Sequence, residues 1–128
     1  MTGTDKDFQR LTHILSYCEK IRIAAEAFNN DHETFLDDAN YQARDVCSFY
    51  ILQIGELARG LTDEFKEKYN HIPWRQIRGM RNVVVHKYGE IDLDTLWDAL
   101  TSDIPALSEH CRKIMEEYGS KNERRNLP

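Results

Sequence analysis

Apolar residues return at every third or fourth position over most of this chain, and nowhere do they alternate for long enough to build a strand. That period marks helices with one face turned inward. A first segment, from about Asp5 to Phe28, carries it at Phe8, Leu11, Ile14, Leu15, Cys18, Ile21, Ala25 and Phe28, with Thr4 and Asp7 spaced as a capping box. After Asn29-Asn30-Asp31 and a short piece around His32 to Asp37, a second long segment covers about Ala39 to Leu61. Its stripe is Val46, Phe49, Tyr50, Ile54, Leu57 and Leu61, and the run Phe49 to Leu52 widens the apolar arc. A helix of about 23 residues is ~35 Å long. So wide an arc on it predicts burial on two sides, one of them a subunit interface.

Thr62 predicts a cap for a short helix through Lys68. Pro73 opens the next helix, since proline is tolerated in a first turn, and that helix ends near Gly89. Asp92 caps the last one, where Pro105 predicts a kink or a break. Val83-Val84-Val85 favours strand but is short and sits in a helical frame. The expected fold is all-α, an up-and-down bundle of four to five helices. It forms one domain over residues 1–120, followed by a polar tail, 121–128, without fixed structure.

A length of 128 residues suits one domain, and 41% apolar residues can fill its core. Polar residues follow Met1, and no apolar run approaches the ~20 residues that span a bilayer. The expectation is a soluble cytoplasmic protein without membrane contact. Cys18, Cys47 and Cys111 are far apart, lack a C-x-x-C pair and fall in helical patterns, so they read as buried, reduced hydrophobes. The five histidines His13, His32, His71, His86 and His110 include no pair at the spacing of a zinc helix. No metal and no cofactor are expected.

The net charge of −5 does not describe a general nucleic-acid binder. Its distribution says more: residues 71–88 hold Arg75, Arg78, Arg81 and Lys87 and no acid. At 100° per residue from Pro73, Ile77, Met80, Val83 and Val84 face the bundle, while Arg75, Arg78, Arg81, Asn82 and His86 occupy the opposite arc with Tyr88 at its border. Arginine can hold two phosphate oxygens through its fork of donors. Histidine exchanges protons near neutral pH. Asparagine can orient an imidazole or a ligand oxygen, and tyrosine can stack on a base. Read from spacing alone, such a face is more often merely solvated.

The stretch Arg81-Asn82-Val83-Val84-Val85-His86-Lys87-Tyr88 resembles the signature of the HEPN superfamily: arginine, a polar residue, a short spacer, histidine, any residue, tyrosine. The flanks resemble its HepT-like ribonuclease toxins, with Tyr50 to Glu56 similar to the second-helix segment, Ile72 to Met80 to the approach and Ile91 to Trp97 to the exit. The similarity runs over roughly residues 8 to 117. It implies a HEPN-like homodimeric bundle and a metal-independent endoribonuclease, the toxin half of a type VII-like toxin–antitoxin system. Arg81, His86 and Asn82 would be catalytic, with Arg75, Arg78 and Tyr88 binding RNA. The implied partner is an MntA-type nucleotidyltransferase antitoxin that adds AMP to Tyr88. The alternative is a non-catalytic HEPN-like module that binds nucleotide or the nucleotidyltransferase. Glu56 reads equally as a solvated carboxylate and stays outside the catalytic set.

Overall fold

The computed structural model describes residues 3–84 and 91–125, with side chains for 3–82 and 91–121. Among the described residues the regular elements are helical and none is a strand. In chain order they are α1 (Gly3–Ala25), α2 (His32–Leu36), α3 (Tyr41–Arg59), α4 (Asp63–Lys68), α5 (Trp74–Val84), α6 (Leu93–Asp98) and α7 (Ile104–Arg125), with 3-10 turns at Glu26–Phe28 and Asp38–Asn40. The all-α architecture expected from periodicity is the one found. Four longer helices, α1, α3, α5 and α7, carry the fold, and α2, α4 and α6 are single short pieces.

Helix α1 packs against α3 and α7, and α3 packs against α5. Leu11, Ile14 and Ile21 of α1 meet Ile51 and Ile54 of α3, Leu96 of α6 and Leu107 of α7 in a core that Phe28 and Phe35 close at one end. Each such side chain, fully buried, contributes about 1.5–3 kcal/mol. Three helix starts are fixed by side chains: Asp31 accepts from the Thr34 amide, Thr62 from the Phe65 amide and Asp92 from the Thr95 amide. Such caps are worth about 1 kcal/mol each. The Thr62 and Asp92 caps are those the sequence predicts.

Four local expectations are corrected. Asp7 does not serve a capping box with Thr4: helix α1 already begins at Gly3, and the Asp7 carboxylate turns inward. It accepts from the Thr62 amide at 2.8 Å and the Thr62 hydroxyl at 2.5 Å, which ties α1 to the start of α4. Helix α3 is shorter than 39–61, because Asp38–Asn40 form a 3-10 turn and Gly60 follows its last residue. Its buried stripe is Cys47, Ser48, Ile51, Ile54, Gly55 and Ala58, whereas Val46 and Phe49 point outward. The small residues of the buried stripe let neighbouring helices come close, so that side goes inward. Finally, α7 runs through to Arg125, so residues 121–125, expected to lack fixed structure, are helical.

Near Pro105 the helix is irregular, as a residue without an amide hydrogen requires. Residues Ala99–Asp103 form a π turn in which the Ile104 amide reaches back five residues to the Ala99 carbonyl. The three cysteines are buried and unpaired. Burial pushes the Cys18 and Cys47 thiols up to about 12, and raises Cys111 as well, with Cys18 adding to the effect there.

Candidate functional site

Helix α5 buries Trp74, Ile77 and Met80, three residues apart. Trp74 is anchored further by its indole, which donates to the Tyr69 carbonyl at 3.1 Å. With that side fixed against the core, Arg75, Arg78, Arg81 and Asn82 are exposed on the other. Helix α3 crosses α5 at Gly55. A β-carbon on Gly55 would stand 3.4 Å from Arg81 Cβ and 3.6 Å from the Arg78 carbonyl oxygen, so the backbones meet with little more than a methyl group's room. One residue further along, Glu56 emerges beside Arg81, and Arg59 follows one turn later.

These two helix edges enclose a polar groove of about 410 Å³ lined by Gly55, Glu56, Arg59, Arg75, Arg78, Gly79, Arg81 and Asn82. Four guanidinium groups face one carboxylate across it. Glu56 Oε1 lies 2.9 Å from Arg81 Nη1, with both side chains about half exposed. An ion pair so open to water is worth about 0–1 kcal/mol, which leaves the guanidinium available to an anionic ligand. Groups of this kind suit a phosphate-bearing chain: a bidentate fork for one phosphate and neighbouring positive charges for the next.

The structure brings four of the sequence-selected residues, Arg75, Arg78, Arg81 and Asn82, into one groove. His86 and Tyr88 lie outside the described residues. One groove residue, Arg59, escapes the sequence reading and another, Glu56, is set aside by it, while Gly55 and Gly79 enter it only within the two flanking segments. A signal for Arg59 exists in retrospect: it stands three residues after Glu56, on the same helix edge. Among the described residues no group of three or more His, Cys, Asp or Glu side chains is placed to hold a metal ion. No described helix is long and apolar enough to cross a membrane.

A larger groove, about 670 Å³, runs between α1 and the α6–α7 rod and is floored by Ile21, Phe28, Trp97, Leu100 and Ile104. It shares no residue with the arginine groove. Its cation, Arg22, is engaged by Glu19 and Glu26. It offers apolar surface and little for an anion.

A family model described as ribonuclease HepT-like matches residues 14–114. Among curated proteins, the chain is 37% identical over 121 residues to a "gamma-glutamylcyclotransferase and putative RNase" of Methanocaldococcus jannaschii; the match covers 91% of this chain and 51% of that protein, so the chain spans about half of its length. It is 32% identical over 109 residues to a "putative RNase" of Caldanaerobacter subterraneus subsp. tengcongensis, covering 84% of this chain and 92% of that one. A "probable ribonuclease HepT" of Thermococcus cleftensis is 33% identical over 82 residues, 64% of this chain and 73% of its own. No solved structure matches the chain.

Proposed function

This chain belongs to the ribonuclease HepT-like family, and from that premise we propose that it is a metal-independent endoribonuclease whose reaction centre is the Arg81 end of the arginine groove. The observation that carries the reading is the gathering of Arg59, Arg75, Arg78, Arg81 and Asn82 around one open polar groove on an otherwise acidic protein. A guanidinium that binds the scissile phosphate also stabilises the negative charge that builds on its oxygens in the transition state. The Asn82 carboxamide, next in the chain, positions the phosphate or the imidazole.

His86 moves the protons. One imidazole takes the proton of the ribose 2′-hydroxyl as that oxygen attacks phosphorus, and a second, protonated imidazole gives its proton to the 5′-oxygen as the P–O5′ bond breaks. The products are a 2′,3′-cyclic phosphate and a 5′-hydroxyl. General acid–base catalysis of this kind supplies roughly 10² to 10⁴ in rate. Each chain has one His86, so the second comes from another copy across a two-fold axis. The exposed apolar side chains Tyr41, Val46 and Phe49, along α3 and its start, support such a contact.

Regulation follows from Tyr88. We take the partner to be an MntA-type nucleotidyltransferase antitoxin, which would transfer AMP from a nucleoside triphosphate to the Tyr88 hydroxyl with release of pyrophosphate. The added phosphate is negative and the nucleoside bulky, so it would occupy the guanidinium groups and block RNA.

The test is cleavage of RNA by the purified protein in EDTA. Wild type should cut and leave cyclic phosphate ends, while His86→Ala and Arg81→Ala should lose about 100-fold or more. A folded protein that binds nucleotide or the nucleotidyltransferase but cuts no RNA would replace the enzyme with a binding module. Intact mass after co-expression with a candidate nucleotidyltransferase checks the second half, an adenylyl addition being expected on Tyr88.

A further inference from the structure

We propose that Glu56 is a positioning residue for Arg81: its carboxylate, delivered from α3, holds one side of the guanidinium so that the remaining donors are aimed into the groove. The proposal rests on the ribonuclease reading for its consequence in rate, and on geometry alone for the hold itself.

Two independent features single out this contact. Other ion pairs among the described residues, Asp7 with Arg10, Glu19 and Glu26 with Arg22, Asp63 with Lys66 and Glu109 with Arg112, join residues three or four apart on one helix. Pairs of that kind follow from helix spacing. Glu56 and Arg81 are brought together across a helix crossing instead. The crossing itself is built for closeness, because Gly55 has no side chain where Arg81 Cβ approaches. Glu56 and Arg81 therefore leave their backbones side by side, and their relative placement is set by the fold rather than by two long arms finding each other.

The charge pattern explains what the contact does. Arg81 shares the groove with Arg59, Arg75 and Arg78, whose like charge pushes its guanidinium outward toward solvent. Glu56 is the carboxylate on the groove wall that opposes this. One of its oxygens stands 2.9 Å from Nη1 as a contact of opposite charges rather than an aligned hydrogen bond, so the N–H donors of the guanidinium are left for a bidentate phosphate. A carboxylate that gripped both edges would compete with the substrate. This one leaves a fork open, and so orients without blocking. The division of labour is then plain: Arg59, Arg75 and Arg78 attract the backbone, and Arg81, steadied by Glu56, meets the phosphate that reacts.

Three substitutions, Glu56→Ala, Glu56→Gln and Glu56→Ala combined with Arg81→Ala, test the proposal under single-turnover conditions. Glu56→Ala is expected to lower the cleavage rate up to about 5-fold, the most that so exposed an ion pair can contribute, while RNA affinity holds or tightens. Glu56→Gln keeps the size of the side chain but not its charge, and should lower the rate as Glu56→Ala does. In the Arg81→Ala background, Glu56→Ala should add nothing. A role confined to stability would lower the melting temperature without separating rate from affinity. Wild-type rates in Glu56→Ala, or faster cleavage with tighter binding, overturn the proposal and leave the ribonuclease reading intact. Should the wild type cut no RNA, nitrogen-15 NMR of the Arg81 side chain decides: restricted guanidinium rotation that is released in Glu56→Ala supports the hold, and identical rotation in both refutes it.

Discussion

Removing the Asp7 carboxylate should cost this protein more than truncating any exposed arginine of its groove. Asp7 is 1% exposed and is linked to the start of α4 by two short hydrogen bonds, from the Thr62 amide and from the Thr62 hydroxyl. That hydroxyl in turn accepts from the Phe65 amide at 3.2 Å, so carboxylate, hydroxyl and helix cap form one relay. Hydrogen bonds to a charged group contribute about 1.5–3 kcal/mol each. Relief of the carboxylate's own desolvation in the variant offsets part of that. For Asp7→Ala we expect a net loss of about 3 kcal/mol, which for a domain of this size is a fall of roughly 10–15 °C in Tm. Thr62→Ala should cost about 1–2 kcal/mol through its cap. Urea denaturation of the two single variants and the double variant measures the coupling, expected at roughly 1–3 kcal/mol for groups in one network. Additive losses, or a cost below about 1 kcal/mol for Asp7→Ala, would refute the relay.

Other expectations follow from the site and the core. Arg59→Ala should weaken binding of a single-stranded RNA and reduce the slope of log affinity against log salt by about 0.7, the share of one phosphate contact; fluorescence anisotropy at several salt concentrations reads it, and an unchanged slope removes Arg59 from the interface. Phe49→Asp should convert the proposed dimer to a monomer by light scattering and reduce cleavage in parallel, whereas an unchanged mass would clear α3's outer face of the role assigned to it. Burial raises the folded-state thiol pKa values above the ordinary 9.0, so the stability they contribute is complete below pH 9 and declines as pH rises toward about 12. Denaturation midpoints between pH 8 and 11 should fall on that limb, less steeply in Cys47→Ala, and an identical decline in that variant would assign the loss elsewhere.

Much of the helix content is legible from sequence because periodicity reports burial, as at Trp74, Ile77 and Met80, and because Thr62 and Asp92 announce helix starts chemically. What periodicity cannot rank is two apolar stripes on one helix. Val46 and Phe49 are as hydrophobic as Ile51 and Ile54, and only the need for small residues at the contact, Gly55 and Ala58, sends one stripe inward. The arginines of α5 are legible as a set because they share one helix face. Arg59 and Glu56 join them through a crossing between segments some 25 residues apart, and no local pattern encodes where two helices cross. Asp7 is missed for the same reason: its spacing to Thr4 is local, while its true partner, Thr62, is supplied by the tertiary fold.

The wide turn at Ala99–Asp103 gives the chain a place where its length can vary. Ala99 and Ile104 are both buried although five positions separate them. Loss of a single residue between them would shorten the five-residue turn to four, at a cost confined to the turn before Pro105, with α6 and α7 each keeping the face it now presents. The same loss in the middle of α1 would rotate everything beyond it by about 100° and turn its core residues toward water. A one-residue deletion is thus better absorbed at this joint than inside α1, and the helices that hold the groove need not move.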